Sequence, residues 1–147
     1  MWSILSIGHK DSAWVEEALL HYNKLLKPPF KINYINCQTC QGNKSEQENQ
    51  LLLKNLPKNN YLIGLDSQGI LLSSKAFANK INHTNLHNSK VCFIIGGAFG
   101  LNHKLKSACN ELWSLSTLTF PHKIVKIILA EQLYRADCIL TNHPYHK

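Results

Sequence analysis

Short apolar runs alternate along the chain with longer stretches in which apolar residues recur every three or four positions. Five runs predict β-strands, at 2–8, 30–37, 61–66, 90–97 and 112–120, the last being a strand or an extended segment. Five amphipathic stretches predict helices, at 11–26, near 46–56, at 73–86, near 101–111 and at 121–140. This repeated order predicts an α/β fold with a mainly parallel sheet flanked by helices. No repeat or linker interrupts it, so residues 1–147 are expected to form one domain.

The last predicted helix, 121–140, is apolar on more than one face. It begins with Pro121, a residue favoured in the first turn of a helix. A helix that is apolar on two faces is usually buried on two sides. One side can pack on the chain's own sheet, and the other predicts contact with a second copy, hence a homodimer. The apolar positions are Ile124, Val125, Ile127, Ile128, Leu129, Leu133 and Tyr134.

A double glycine ends the fourth predicted strand, in the segment FIIGGAFGLN (93–102). Glycine allows a sharp turn and a close approach of a ligand to the main chain. In open α/β sheets, ligands bind at the carboxyl ends of strands. The spacing GGxxG is neither a dinucleotide fingerprint nor a Walker A loop, and a tight turn without a ligand explains it equally well.

Hydroxyl residues alternate with leucines in the segment SLSTLTF (114–120), directly before Pro121. Its backbone N–H and C=O groups could bind the edge of a purine-like ring while the leucines grip the ring faces. A strand that turns a Ser/Thr face toward solvent explains the same pattern.

The number and spacing of the cysteines and acids argue against a metal site and against hydrolytic catalysis. Cys37 and Cys40 form a CxxC pair that His143 and His146 could complete as zinc ligands, but the two pairs lie far apart and no second CxxC is present. We therefore expect no metal site. Five cysteines, an odd number, favour free thiols. No G-x-S-x-G motif occurs and acids are few, which argues against a Ser triad or a catalytic carboxylate pair.

Charge is concentrated in the second half of the chain. The net charge is +7; residues 1–70 carry seven Lys against six acids, and residues 71–147 carry eight Lys and one Arg against three acids. A basic half favours a polyanionic partner, nucleic acid first and an acidic membrane second. General solubility and a Lys-rich genome explain the charge as well. Arg135 is the only guanidinium in the chain, which suits a site that needs a planar fork.

The first residues, MWSILSIGHKDSAWVEE, have no basic residue before their apolar run and acids soon after it. The run is too short to span a membrane and lacks the shape of a signal peptide. We expect a cytoplasmic protein without a membrane partner.

The C-terminal segment reads WSLSTLTFPHKIVKIILAEQLYRADCILTNHPYHK and resembles the same part of the RlmH family. The likeness extends to Leu65-Asp66 and to the IIGG strand end, and is densest over 93–147. RlmH proteins are small SPOUT-class methyltransferases that act on N3 of a pseudouridine in 23S ribosomal RNA, in helix 69 of the large subunit. The resemblance implies a C-terminal trefoil knot, an obligate homodimer, the ribosome as partner, and S-adenosylmethionine as methyl donor. Matching positions place the donor against Leu65, Gly96, Leu115, Ser116, Thr117, Leu118, Thr119 and Phe120.

The resemblance also gives roles to the C-terminal residues, which in the family lie near the partner's cofactor. Tyr145 would stack on the RNA base or hydrogen-bond to it, and His143 or His146 would assist removal of the N3 proton. Arg135 would hold a phosphate or the negative charge that develops on the base.

Two departures from the family pattern leave a second function open. The family's usual GGPEG loop is GGAFG here, so Ala98 and Phe99 replace a proline and a glutamate. The loop after the second strand, usually basic in the family, is nearly neutral here. The alternative is a knotted RNA- or ribosome-binding protein with weak or no methyltransferase activity.

Overall fold

The computed structural model describes residues 1–8, 10–28, 30–38, 45–88 and 90–147, without the side chain of residue 45. Strands and helices alternate in the order β1 Trp2–Ile7, α1 Ala13–Leu25, β2 Ile32–Cys37, α2 Ser45–Lys54, β3 Tyr61–Leu71, α3 Ser74–His87, β4 Val91–Ile95, α4 His103–Ala108, β5 Glu111–Ser114 and α5 His122–Leu140. The strands form one sheet in the order β2-β1-β4-β3-β5, and each neighbouring pair is parallel. The predicted α/β class with a parallel sheet flanked by helices is confirmed.

Each face of the sheet carries a layer of helices, which explains why the central strands are apolar at nearly every position. Alternate residues of a strand point to opposite faces. Ile4 and Phe93 therefore join a core with α1, α3 and α5, whereas Leu5 and Ile94 join a second core with α2 and α4. A parallel strand covered on both faces reads as a continuous apolar run.

The boundaries differ from the sequence prediction mainly around β5 and β3. The fifth strand ends at Ser114, and 115–120 is a loop rather than its continuation. Local hydrogen bonds replace the sheet ladder there: the Ser114 hydroxyl donates to the Ser116 carbonyl, and the Ser116 hydroxyl accepts from Leu118 N–H. Strand β3 runs on to Leu71, with a register shift against β5 between Leu65 and Ile70.

Helix α1 begins without a side-chain capping bond. Ser12 takes the N-cap position, but its hydroxyl makes no capping bond. Asp11 instead pairs with Lys126 of α5, at 2.7 Å between Oδ2 and Nζ. By contrast, Ser73 caps α3 by accepting a hydrogen bond from Ala76 N–H.

Helix α5 packs against both α1 and α3. Its apolar residues divide between the core and partly exposed positions: Leu129, Ala130 and Leu133 are buried, while Ile124 and Ile128 are half-buried. The knot and the homodimer implied by the resemblance stay predictions. Within the described ranges, no helix is long and apolar enough to cross a membrane.

Candidate functional site

A cleft of about 790 Å³ opens at the ends of β4 and β5 and beside the register shift of β3. The carboxyl ends of parallel strands are the expected place for a ligand in such a sheet. Residues 65–68 of β3, the turn after β4, the loop 115–120 and the start of α5 form its walls. The lining residues are Leu65, Asp66, Ser67, Gln68, Ile95, Gly96, Gly97, Ala98, Phe99, Gly100, Leu101, Lys106, Ser114, Leu115, Ser116, Leu118, Thr119, Phe120, Pro121, His122 and Val125.

The turn after β4 depends on its glycines. A Cβ on Gly96 would lie 2.7 Å from the carbonyl carbon of Gly100, closer than real Cβ contacts occur. Gly100 has φ +72°, in the left-handed region that favours glycine, and its N–H donates to the Gly97 carbonyl at 3.0 Å. The double glycine therefore folds the loop tightly and leaves its backbone as a wall of the cleft.

Helix α2 supports this turn from behind. Asn49 accepts a hydrogen bond from Asn102 N–H at 2.8 Å. The Glu48 carboxylate lies against Gly97, and its Oε2 atom is buried without a hydrogen-bond partner. A carboxylate from α2 thus stands directly behind the GGAFG loop, which carries no acid itself.

The predicted cofactor-binding residues converge on the cleft. Seven of them line it, contributed by β3, the β4 turn and the loop 115–120: Leu65, Gly96, Leu115, Ser116, Leu118, Thr119 and Phe120. Thr117 belongs to the same loop but is not among the lining residues. Leu118 is 70% exposed, so a large apolar side chain is available to cover a bound ring.

Two charged residues of the cleft were given no role in the sequence analysis. Lys106 of α4 and Asp66 of β3 form an ion pair, 3.3 Å between Nζ and Oδ2. The other carboxylate oxygen of Asp66 accepts a hydrogen bond from Gln68 N–H at 2.9 Å. Among the described lining residues, Asp66 is the only acid and Lys106 the only Lys or Arg.

His122 begins α5 at the edge of the cleft, and its ring packs against Gly8 at the end of β1. Burial lowers the pKa of His122 below 6.5, and the nearby cations Lys126 and Lys123 lower it further, against a smaller opposite effect of Asp11. The buried Lys126–Asp11 pair thus places a cation beside His122, which favours the neutral imidazole.

At its other end, α5 carries a group that we call the tail cluster: Glu131, Arg135, Tyr145 and His146. Arg135 Nε donates to Glu131 Oε1 at 2.9 Å, and Arg135 Nη1 donates to His146 Nδ1 at 3.1 Å. The Tyr145 hydroxyl donates to the same Glu131 oxygen at 3.0 Å, and the guanidinium carbon lies 4.8 Å from the Tyr145 ring centroid. The structure therefore brings three of the four predicted catalytic residues together around an acid.

The fourth predicted catalytic residue, His143, lies in the same segment. Its backbone N–H donates to the Cys138 carbonyl at 2.8 Å, a bond that satisfies one of the last carbonyls of α5. Its ring Nδ1 accepts from the backbone N–H of Tyr145 at 3.3 Å. Burial and the bond to Glu131 raise the pKa of Tyr145 to about 12. The Tyr145 phenol is therefore a hydrogen-bond donor at neutral pH.

Glu131 could have been found from the sequence, because it precedes Arg135 by four residues on a predicted helix, the spacing of an ion pair. Asp66 belongs to the Leu65-Asp66 likeness to the family but was given no role, and Lys106 gave no signal, because the two residues meet only in the folded chain. The CxxC hypothesis falls partly outside the described residues, which include Cys37 but not Cys40. In the described part of the chain, no group of three or more His, Cys, Asp or Glu could hold a metal ion.

Known proteins resemble this chain over nearly its whole length. The family model described as "Predicted SPOUT methyltransferase" matches residues 1–146. The protein named Ribosomal RNA large subunit methyltransferase H from Legionella pneumophila (strain Paris) is 41% identical over 152 residues, which cover 99% of this chain and 97% of the relative. The protein of the same name from Acholeplasma laidlawii (strain PG-8A) is 38% identical over 145 residues, covering 98% and 97%.

Solved structures agree on the fold. The structure described as that of "a probable methylase family protein" from Haemophilus influenzae Rd KW20 superposes with a TM-score of 0.60 at 14% identity, covering 99% of this chain and 70% of that one. The crystal structure described as that of a "putative methylase family protein" from Neisseria gonorrhoeae gives a TM-score of 0.57 at 11% identity, covering 97% of this chain and 93% of that one. At such identities the likeness concerns the fold alone, whereas the family model and the relatives concern the sequence. The chain belongs to the SPOUT methyltransferase family, among the ribosomal RNA large subunit methyltransferases H.

Proposed function

We propose that this protein transfers a methyl group from S-adenosylmethionine to N3 of a pseudouridine in 23S ribosomal RNA, in helix 69 of the large subunit, and that it acts as a cytoplasmic homodimer. The observation that carries the proposal is the cleft itself. Its walls are the double-glycine turn and the loop 115–120, the two segments that the family resemblance assigns to the methyl donor. Relatives that match along nearly the whole chain are named as ribosomal RNA methyltransferases.

The residues of the cleft fit S-adenosylmethionine in size and chemistry. About 790 Å³ lies within the range of small-molecule sites, roughly 300–1,000 Å³. Leu115, Leu118 and Phe120 offer apolar surface for a purine, and the glycine turn leaves main-chain groups accessible. When bound, the donor supplies an activated methyl group on a sulfonium. The protein's own part is to orient that methyl group and exclude water from it.

The tail cluster is suited to the nucleotide rather than to the donor. Arg135 offers a planar guanidinium for a phosphate, and Tyr145 is 37% exposed, so a base can reach it. Basic residues dominate the second half of the chain, which favours RNA as the partner. We assign Arg135 to a phosphate or to the developing negative charge, and Tyr145 to stacking or hydrogen bonding with the base.

The distance between cleft and tail cluster favours two copies. Val125 lines the cleft and Arg135 follows ten residues later on α5, about 15 Å along the helix axis. The same chain's tail is therefore poorly placed for its own cleft. A second copy, packed on the half-buried residues Ile124 and Ile128, would bring its tail to the cleft of the first.

The hydrogen bonds of His143 and His146 affect how either ring could take part in removal of the N3 proton. A ring nitrogen that accepts a hydrogen bond carries no proton. Both His143 and His146 accept through Nδ1, which leaves Nε2 as the ring nitrogen that can carry a proton and donate to an anion. If Arg135 turns to an RNA phosphate, Nδ1 of His146 is released and becomes able to accept the N3 proton.

A second candidate is an RNA- or ribosome-binding protein with little methyl transfer. Phe99, which replaces the family's glutamate, is 69% exposed and lines the cleft. Against it, the double-glycine turn and the loop 115–120 line one cleft together, as binding of a methyl donor requires. We therefore favour the methyltransferase over the binding protein.

Methyl transfer to ribosomes that lack this modification tests the proposal. The protein is incubated with radiolabelled S-adenosylmethionine, and the labelled nucleotide is identified by mass spectrometry. Label in N3-methylpseudouridine is the expected result. Folded protein that binds these ribosomes but transfers no label would favour the second candidate.

A further inference from the structure

The ion pair between Asp66 and Lys106 is built differently from the other ion pairs of the molecule. Lys80–Glu111 and Lys126–Asp11 are close, at 2.6 and 2.7 Å. The 3.3 Å between Lys106 Nζ and Asp66 Oδ2 is longer than a tight charge-assisted hydrogen bond, roughly 2.7–2.9 Å. Both partners line the cleft, so a ligand entering it meets the two charges. A loose pair in a binding site is one that a ligand can exchange for its own contacts.

The two charges are held at a fixed place in the cleft. Asp66 lies in β3, just after Leu65, where the register against β5 shifts, and its Oδ1 accepts from Gln68 N–H. Lys106 lies on α4, whose start is fixed by Asn102 through a capping bond to Leu105 N–H. The Asp66 side chain is 11% exposed and that of Lys106 28%, so each head group can exchange partners without unfolding its element.

We propose that Asp66 and Lys106 bind the amino-acid end of the methyl donor, Asp66 taking its α-ammonium group and Lys106 its α-carboxylate. This inference rests on the proposed function and adds to it the part of the ligand that each charge recognises. S-adenosylmethionine ends in a zwitterion whose charges complement those of the pair. Its purine end requires apolar surface and main-chain groups, which the loop 115–120 supplies. Among the described lining residues, the Asp66–Lys106 pair is where both a carboxylate and an ammonium group are available.

The pair would therefore distinguish adenosyl amino acids from adenosyl compounds that lack the amino-acid end. The test compares three ligands by isothermal titration calorimetry: S-adenosylmethionine, S-adenosylhomocysteine and 5′-methylthioadenosine. The second lacks the sulfonium charge and the third lacks the whole amino-acid end. The variants are Asp66→Asn and Lys106→Met. Their matched controls are Glu17→Gln and Lys104→Met, which remove exposed charges of the same kind that do not line the cleft.

We expect each variant to weaken binding of S-adenosylmethionine and S-adenosylhomocysteine by about tenfold, the effect of losing a charge-assisted hydrogen bond. Binding of 5′-methylthioadenosine should change by less than about twofold. The control variants should bind all three ligands like the wild-type protein. Thermal unfolding of each variant checks that the fold is retained.

Three results would overturn the inference: equal losses for all three ligands, a loss confined to S-adenosylmethionine, or no loss. Equal losses would mean that the pair contacts the ribose or supports the fold. A loss confined to S-adenosylmethionine would mean that the pair acts on the sulfonium, and no loss would mean that the pair does not contact the donor. Wild-type protein that binds none of the three ligands would contradict the proposed function itself.

Discussion

The Tyr145 hydroxyl donates a hydrogen bond to Glu131 Oε1 at 3.0 Å, and that oxygen also accepts from Arg135 Nε at 2.9 Å. One carboxylate thus holds the aromatic ring and the only guanidinium of the chain against each other. It also ties the C-terminal residues back to α5. The proposed RNA-binding groups are therefore ordered by an acid that need not touch the RNA.

Replacing Glu131 by Gln should reduce methyl transfer and leave donor affinity unchanged. The amide keeps an acceptor but loses the charge that orients Arg135, and small misplacements of reacting groups cost up to about 100-fold in rate. We expect a fall of about 10- to 100-fold in kcat with unchanged calorimetric binding of S-adenosylmethionine. Glu17→Gln, on the exposed face of α1, is the matched control. An unchanged kcat would remove Glu131 from the arrangement of the tail.

Two glycines of the cleft should respond differently to alanine. A Cβ at Gly96 meets backbone of Gly100 at 2.7 Å, so the turn must open, at a cost of about 1–3 kcal/mol. A Cβ at Gly100 meets nothing within 4 Å, so only its φ of +72° is unfavourable, at about 1–2 kcal/mol.

Gly96→Ala should therefore lose donor affinity as well as stability, whereas Gly100→Ala should lose mainly stability. Urea unfolding and calorimetry on both variants measure this. Equal loss of affinity in the two would show that general strain in the loop, rather than the closed shape of the turn, governs binding.

The Asp11–Lys126 pair should contribute more to stability than the Lys80–Glu111 pair. Lys126 is 2% exposed, so Asp11→Asn leaves a buried ammonium without its counter-charge, which typically costs about 3–5 kcal/mol. Lys80 and Glu111 are more exposed, so Lys80→Met should cost about 1 kcal/mol or less.

Chemical denaturation of Asp11→Asn and Lys80→Met measures the loss in free energy of unfolding for each variant. A double variant, Asp11→Asn with Lys126→Met, should be more stable than Asp11→Asn alone because it removes the uncompensated charge. A double variant less stable than either single variant would contradict this account of the pair.

His122 should make the protein less stable at acid pH. Its pKa in the folded protein is below the ordinary value of 6.5, so at pH values between the two the unfolded chain binds more protons. Its contribution to stability is therefore complete above about pH 6.5 and is lost as the pH falls through the lowered pKa. His122→Asn should show a shallower decline of the unfolding free energy below pH 6.5 than the wild-type protein. Parallel curves would show that other groups cause the decline.

The sequence was sufficient to predict the layers of the fold, because buried parallel strands such as β1 and β4 are continuous apolar runs and the helices between them are amphipathic. It overextended β5, since the alternation of 114–120 is the pattern of a strand, whereas Ser114 and Ser116 form local hydrogen bonds instead. Propensity does not decide between these two uses of serine.

In the site too, local sequence patterns were predictable and contacts between distant elements were not. The glycine turn and the loop 115–120 could be recognised from short motifs and a family resemblance. The partners that hold them, Glu48 behind Gly97 and Lys106 beside Asp66, come from elements distant in sequence, and no local pattern indicates their meeting. Their roles follow from packing alone.

The central claim is that one chain's cleft works with another chain's tail, and mixed dimers test it most directly. Gly96→Ala impairs the cleft and Arg135→Ala impairs the tail, so each protein alone should transfer little methyl to ribosomes. After subunit exchange at equal concentrations, half of the dimers are mixed and each has one intact pair, so about a quarter of wild-type activity should return. Mixed dimers, verified by mass spectrometry, that remain as inactive as either variant would contradict the claim.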